Sequence, residues 1–414
     1  MLLGAILAVA AIIAVVVIAA VALYDALSSS RAAADQNFST NPVGGTAQSC
    51  PLAKSLKGKV NAVTWGGGIK VSRKSGLARA TVATPHWQEG TAVDDGSGSL
   101  RPGVLLVGGA KGTGDTAITV EITENVNVSG NGVVRGTLGG LEFEGSCPTS
   151  VGVHSVALVF KTDPDSIQHA QGDVSWGIQV ADLGGSVGLA NATRLEAFVV
   201  LDTPAAFYGA QGVWVEALRF MCDTVAVSGM KTPAEVAART AQYCHGSHGL
   251  SYDTFNGAPV YGCSGAGGTF HLESYIAAAL PVVNCYDQAG ATQALCGATG
   301  TPLIWHYLDP YGFIQTTNLI GVGQCNSPFF AKNGTTAMMA VNDSRRTAFG
   351  NHAFCDLGGK ILDACAGPHT GTEDQTQYCA ASIDSATTLY SLYQNFRPGT
   401  AGDITTPGGV TQVV

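Results

Sequence analysis

The sequence predicts a chain in three parts, an N-terminal transmembrane helix, then an all-β sandwich, then an α+β domain, and three observations predict it. Residues 2–23 form an unbroken apolar run, long enough for a hydrocarbon core that needs about 20 apolar residues. Ile118, Val120 and Ile122 alternate with Thr119, Glu121 and Thr123, the period of a half-buried strand. After Asp202 the period turns helical, and Thr232-Pro233-Ala234-Glu235 supplies an N-cap, a proline at N1 and a glutamate at N3, opening a helix to about Tyr243. These place a membrane anchor at 1–24, a linker at 25–49, the sandwich at 50–201, the α+β domain at 202–396 and a flexible tail at 397–414.

The apolar run has no basic stretch before it and exceeds the ~7–15 residues of a secretory core, so it reads as a span or signal anchor, with a signal peptide cut after Ala34 as the alternative. Tyr24 and Arg31 stand where the N-terminal helix of type IV pilins turns polar, and the run resembles such a helix, with Ala5 where that family usually has glutamate. That resemblance implies self-assembly through this helix. Residues 25–48 are mostly small and polar, a composition with little to bury. In the sandwich, residues 133–144 read as a hairpin turning at Gly139-Gly140, and 156–160 and 197–201 as further strands. His86, His154 and His169 are isolated there and read as structural or solvated. Further helices are expected at 214–222, 286–297 and, capped by Asp384, through Asn395. The tail from Arg397 is rich in Gly, Pro and Thr and reads as loosely ordered.

Of 414 residues only 12% are charged, and the net charge of -9 leaves no basic stripe, which excludes nucleic acid as a partner. Eleven cysteines without CxxC pairs argue for disulfides and an oxidising, extracytoplasmic compartment. The odd number leaves one thiol over, and Cys285 is the candidate. Arg31, Lys54, Lys57 and Lys59 follow the apolar run, which favours a cytoplasmic body, but large domains translocate despite such charge.

Cys285 follows the apolar residues 280–283 and begins an Ala-rich helix, so its sulfur meets the positive end of a helix dipole, where a thiolate is favoured. With Gly358-Gly359 as a two-residue turn, Leu357 pairs with Lys360, Phe354 with Asp363, and His352 with Cys365. His352 and Asp363 then share a face, while Cys355 points to the other. Cys285, His352 and Asp363 read as nucleophile, base and orienter. His306 and Asp309 form a rival base and orienter, and Cys244, His245 and His248 a conceivable zinc set without a second cluster of fitting spacing. No GxSxG or phosphate-binding loop is present. No cofactor or metal is expected.

The segment Asn284-Cys285-Tyr286-Asp287-Gln288-Ala289, the helix after it and Gly300-Thr301-Pro302 resemble the nucleophile segment of the transglutaminase-like superfamily, a papain-like group. His352-Ala353-Phe354 with Gly359-Lys360 and Asp363 resembles its His and Asp strands, and the helix at 232–244 with Leu250-Ser251-Tyr252-Asp253 is similar to its preceding helical segment. The likeness covers about residues 200–395. Departures are a shorter His-to-Asp interval, insertions at 257–268 and 315–347, and Val283 where a glycine is usual. The resemblance implies a membrane-anchored thiol enzyme acting on peptide or side-chain amides through a thioester at Cys285, with a protein or peptide substrate. Water as acceptor gives proteolysis or deamidation, and an amine gives cross-linking. The expected oxyanion donors are the Cys285 N–H and one not identified from sequence. The alternative is a pilin-like filament or adhesion subunit with an inactive head.

Overall fold

Alternation along Ala117–Val126 buries Ile118, Val120 and Ile122 on one face, and this strand carries the first sheet. The computed structural model describes residues 52–66, 68–75, 78–91, 100–108, 116–394 and 396–414. Ala117–Val126 pairs antiparallel with Ser55–Thr64 on one side and Gly152–Ala157 on the other, and Trp87–Gln88 completes four strands. A second, five-stranded sheet is built on the hairpin Asn131–Leu138 and Leu141–Pro148. Its turn residues Gly139 and Gly140 have φ of 53° and 96°, the left-handed values a two-residue hairpin loop requires. Val60, Val120, Val134, Phe143 and Ile178 from both sheets fill one core.

The strand Thr193–Val200 is buried on both faces and joins this core to the next. Leu195, Ala197 and Val199 enter the first core, while Phe198 and Val200 enter the second. Glu196 lies among them with no exposed surface, and a buried carboxylate needs partners. Arg219, ending the helix Val215–Arg219, supplies two bonds of 2.8 and 2.6 Å, and His169 a third of 3.0 Å.

The second core surrounds the helix Cys285–Ala298, which is buried along nearly its whole length. Its small residues permit this: a Cβ on Gly290 would stand 2.8 Å from Phe270, and one on Gly297 2.5 Å from Phe207. Beside it runs a five-stranded sheet in the order His369–Thr370, Lys360–Asp363, His352–Leu357, Ile304–Leu308, Ile404–Thr405. The helix Pro233–Gly246, opened by the expected Thr232 and Glu235 capping box, packs here too.

Several expectations are corrected. Among the described residues no helix is long and apolar enough to cross a membrane, and residues 2–23, on which the transmembrane and pilin-like readings rest, lie outside them. In place of the expected anchor, sandwich and α+β domain, the described chain is mostly β with few helices. Among the described residues no α-helix spans 384–394, and Asn395, the expected end of the helix capped by Asp384, lies outside them. Asp384 is engaged by the amides of Ala386 and Thr387 and by Arg346, so only a short 3-10 turn, Thr388–Leu392, forms. The helix of this region is Gln375–Ser382, capped by Asp374 and Gln377.

The tail is ordered rather than flexible. Arg397 pairs with Asp403 at 2.8 Å, Ile404–Thr405 adds an edge strand, and Gly409–Val413 pairs in parallel with Gly267–Phe270. The disulfide expectation also fails among the described residues: all ten described cysteines are free and buried, behaving as small apolar side chains. Cys50 lies outside the described residues. The inference from cysteine number to an oxidising compartment, and to Cys285 as the thiol left over, loses its basis.

Arg219→Ala leaves Glu196 buried with its main partner gone and is expected to cost about 3 kcal/mol, read as a lower urea midpoint; an unchanged midpoint would show that the clasp between the cores is dispensable.

Candidate active site

The mouth of the helix Cys285–Ala298 is fixed by its neighbours in sequence. Val282–Val283 pairs in parallel with Ser251–Tyr252, which delivers Asn284 as N-cap and Cys285 as the first helical residue. The Asn284 side chain accepts from the Asp287 amide and Asp287 accepts from the Asn284 amide, both at 3.1 Å. Asp287 also accepts the amides of Val260 and Tyr261, at 3.0 and 2.8 Å, tying the 257–268 segment to the helix. Burial raises the Asp287 carboxyl against these bonds. A helix leaves its first N–H groups without internal acceptors. With Asn284 and Asp287 satisfied by the capping box, those of Cys285 and Tyr286 remain open at the mouth, among the described residues.

His352 opens one strand of the hairpin and Asp363 ends the other. The turn residues Gly358 and Gly359 have φ of 61° and 80°, and Leu357 pairs with Lys360 and Cys355 with Leu362. His352 Nε2 lies 2.8 Å from Asp363 Oδ2. The same oxygen accepts the Tyr378 hydroxyl at 2.9 Å, and Oδ1 accepts the amides of Cys365 and Ala366 at 2.8 and 3.3 Å. Rings of Tyr311 and Phe349, each 5.2 Å from the imidazole, close around it.

Burial opposes charge on His352, but the Asp363 carboxylate and then the charge of an ionised Cys285 outweigh it and push the imidazole up to about 10. Burial likewise opposes charge on Asp363, and the His352 cation holds it well below the usual carboxylate range. With Nε2 on Asp363, the buried Nδ1 has no hydrogen-bond partner among the described residues. A further bond ties the two halves together: the Tyr286 hydroxyl donates to Asn351 Oδ1 at 2.5 Å.

Of the three expected residues the structure joins His352 and Asp363 by a hydrogen bond, and Cys285, 4% exposed, begins the helix packed against the strand that carries His352. The rivals do not assemble. His306 pairs with Asp356 at 2.5 Å, not with Asp309, which accepts from the Tyr307 hydroxyl. His245 and His248 bond to the separate carbonyls of Ala364 and Tyr275, and no group of His, Cys, Asp or Glu among the described residues is arranged to hold a metal. Burial pushes the thiols of Cys222, Cys244, Cys263 and Cys296 up to about 12, leaving them poor nucleophiles.

Sequence reasoning missed Tyr378, although the capping pair Asp374 and Gln377 marks the helix that carries it. It also missed the Tyr286 and Asn351 bridge and the importance of Tyr252. Tyr252 is buried beside the helix mouth, yet its hydroxyl makes no hydrogen bond among the described residues. Burial and then the charge of Cys285 raise its phenol well above the ordinary range.

No family model and no curated protein sequence matches the chain. Among solved structures, red sea bream transglutaminase is similar over 62% of this chain and 50% of its own, at 12% identity and a TM-score of 0.36. The chain therefore spans about half the length of that protein. The pilin-like resemblance gains no support from these comparisons.

An imidazole whose folded pKa is raised from 6.5 to about 10 stabilises the fold fully below the lower value and loses that contribution as pH rises through the upper one. In ¹⁵N-histidine NMR spectra, His352 should stay doubly protonated through neutral pH. Cys285→Ala and Asp363→Asn should each pull its titration down; an imidazole neutral at pH 7 in the unaltered protein would contradict the arrangement.

Proposed function

We propose that this protein is a thiol enzyme that transfers acyl groups from peptide or side-chain amides through a thioester on Cys285. The observation that carries the reading is the buried unit in which Asp363, fully hydrogen-bonded, holds His352 beside a cysteine at a helix mouth. The Cys285 sulfur adds to the amide carbonyl, forming a C–S bond. His352 gives its proton to the departing nitrogen, the C–N bond breaks, and ammonia or an amine leaves with the thioester behind. In the second half His352 takes a proton from the incoming water or amine, and the thiolate leaves as the new acyl bond forms. Asp363 keeps the imidazole oriented and stabilises its charged form throughout.

The negative oxygen of each tetrahedral intermediate is met by the free N–H of Cys285 and, in this reading, by the Tyr252 hydroxyl. An unpartnered donor aimed at developing charge needs no reorganisation when the charge appears. The pairing of Tyr252 with Val283, two residues before Cys285, and its lack of a hydrogen-bond partner among the described residues support this role.

Release of ammonia from glutamine peptides, coupled to a dehydrogenase assay, tests the reading. Cys285→Ala and His352→Ala are expected to lower kcat by at least about 10³-fold, and Asp363→Asn by roughly 10²-fold or more. Tyr252→Phe should lower kcat by about 10²-fold with little change in KM. Turnover that survives Cys285→Ala would overturn the proposal, and a Tyr252→Phe effect confined to KM would remove Tyr252 from the oxyanion site.

A further inference from the structure

We infer that the cleft beside the candidate active site binds the peptide segment flanking the reactive amide, and selects segments in which an aromatic side chain stands next to an acidic one. This rests on the amide acyl-transfer reading and adds a substrate class to it. The cleft has a volume of about 650 Å³, within the ~300–1,000 Å³ of pockets that enclose a ligand. Phe313 and Phe329 line it, and Phe255 and Tyr393 stand in it 57% and 47% exposed. Large aromatic surface gathered in one concavity and left open to water marks a binding site rather than a core.

Its position ties it to the chemistry. The Phe329 ring lies 6.2 Å from those of both Tyr252 and Phe349, and Phe349 lies 5.2 Å from His352. Gly350, also in the lining, precedes Asn351, the acceptor of the Tyr286 hydroxyl next to Cys285. A peptide seated against Phe329 and Gly350 is therefore one ring from the imidazole on one side and one side chain from the nucleophile on the other.

Its charge is the reverse of the molecule's. The chain carries a net -9, yet no Asp or Glu lines the cleft, whereas Lys332, Arg345 and Arg346 do. Arg346 is buried and held by Asp384 at 2.6 Å, and Arg345 is held by Asp343 at 2.6 Å. Lys332, exposed on the short helix Phe330–Asn333, has no ion-pair partner among the described residues. A ligand carboxylate can pair with it without displacing a residue of the protein, while a ligand cation at Lys332 meets like charge, Asp343 and Asp384 being engaged by Arg345 and Arg346. The aromatic walls take the neighbouring ring by stacking and edge contacts.

The test is fluorescence anisotropy on the full chain carrying Cys285→Ala, so that binding is read without turnover. The probes are fluorescein-labelled Gly-Asp-Phe-Gln-Gly and its counterpart Gly-Lys-Phe-Gln-Gly. The acidic peptide is expected to bind about tenfold more tightly, Lys332→Glu to abolish or reverse that preference, and Phe255→Ala to weaken both peptides. Both substitutions alter exposed side chains outside the proposed catalytic unit. Equal affinity for the two peptides, or a preference unmoved by Lys332→Glu, overturns the inference. If the charge swap works but the unaltered protein releases no ammonia from either peptide, the cleft stands and the acyl-transfer reading falls. If both peptides turn over with the same KM and Lys332→Glu changes nothing, the reverse holds.

Discussion

The constraint on which the site depends is the burial of the Asp363 carboxylate, 1% exposed. A charge in that position is tolerable only if its lone pairs are filled and an opposite charge lies close. Four donors supply this: the His352 ring, the Tyr378 hydroxyl and the amides of Cys365 and Ala366. They come from three local structures, so the hairpin, the chain after it and the helix Gln375–Ser382 must all be in register before the carboxylate is satisfied. His352 inherits its orientation and its charged form from that arrangement.

The cysteine side of the site is positioned by a separate device. A capping box consumes the amides of Asn284 and Asp287 and leaves those of Cys285 and Tyr286 without a hydrogen-bond partner among the described residues, so the feature that starts the helix also frees its anion-binding end. The helix can lie at the centre of its core because Ala and Gly let Phe270 and Phe207 approach closely. That core is in turn walled by the strand Thr193–Val200, whose opposite face belongs to the first core, with Glu196 and Arg219 holding the two sides together. Cys285, His352 and Asp363 thus sit on helix and strand ends rather than in loops, which favours holding them in one geometry.

What was legible in the sequence was local. The Gly358-Gly359 turn set a register that brings His352 to Asp363, and the Thr232 and Glu235 box opened its helix where expected. The hairpin at Gly139-Gly140 follows from the same turn chemistry. Non-local partners were not legible. His306 finds its carboxylate in Asp356, fifty residues along the chain, on the neighbouring strand, and nothing near His306 in sequence announces it. The tail from Arg397 looks like linker by composition, but sheet edges at Tyr307–Leu308 and Gly267–Phe270 recruit it. The cysteines misled because their number says nothing of burial, and a free buried thiol is an ordinary core residue. Asp384 had the residue type of a cap, and its carboxylate went to a turn and to Arg346 instead.

The central claim is that Cys285 carries the acyl group. Acid quenching of the protein during reaction with an amide peptide, followed by intact-mass and peptide-map spectrometry, tests it most directly. The expected result is a thioester adduct of the peptide's acyl mass on the tryptic fragment containing Cys285, absent in Cys285→Ala and accumulating when the acceptor is limiting. Turnover with no adduct on that fragment, or with the adduct on another cysteine, would contradict it.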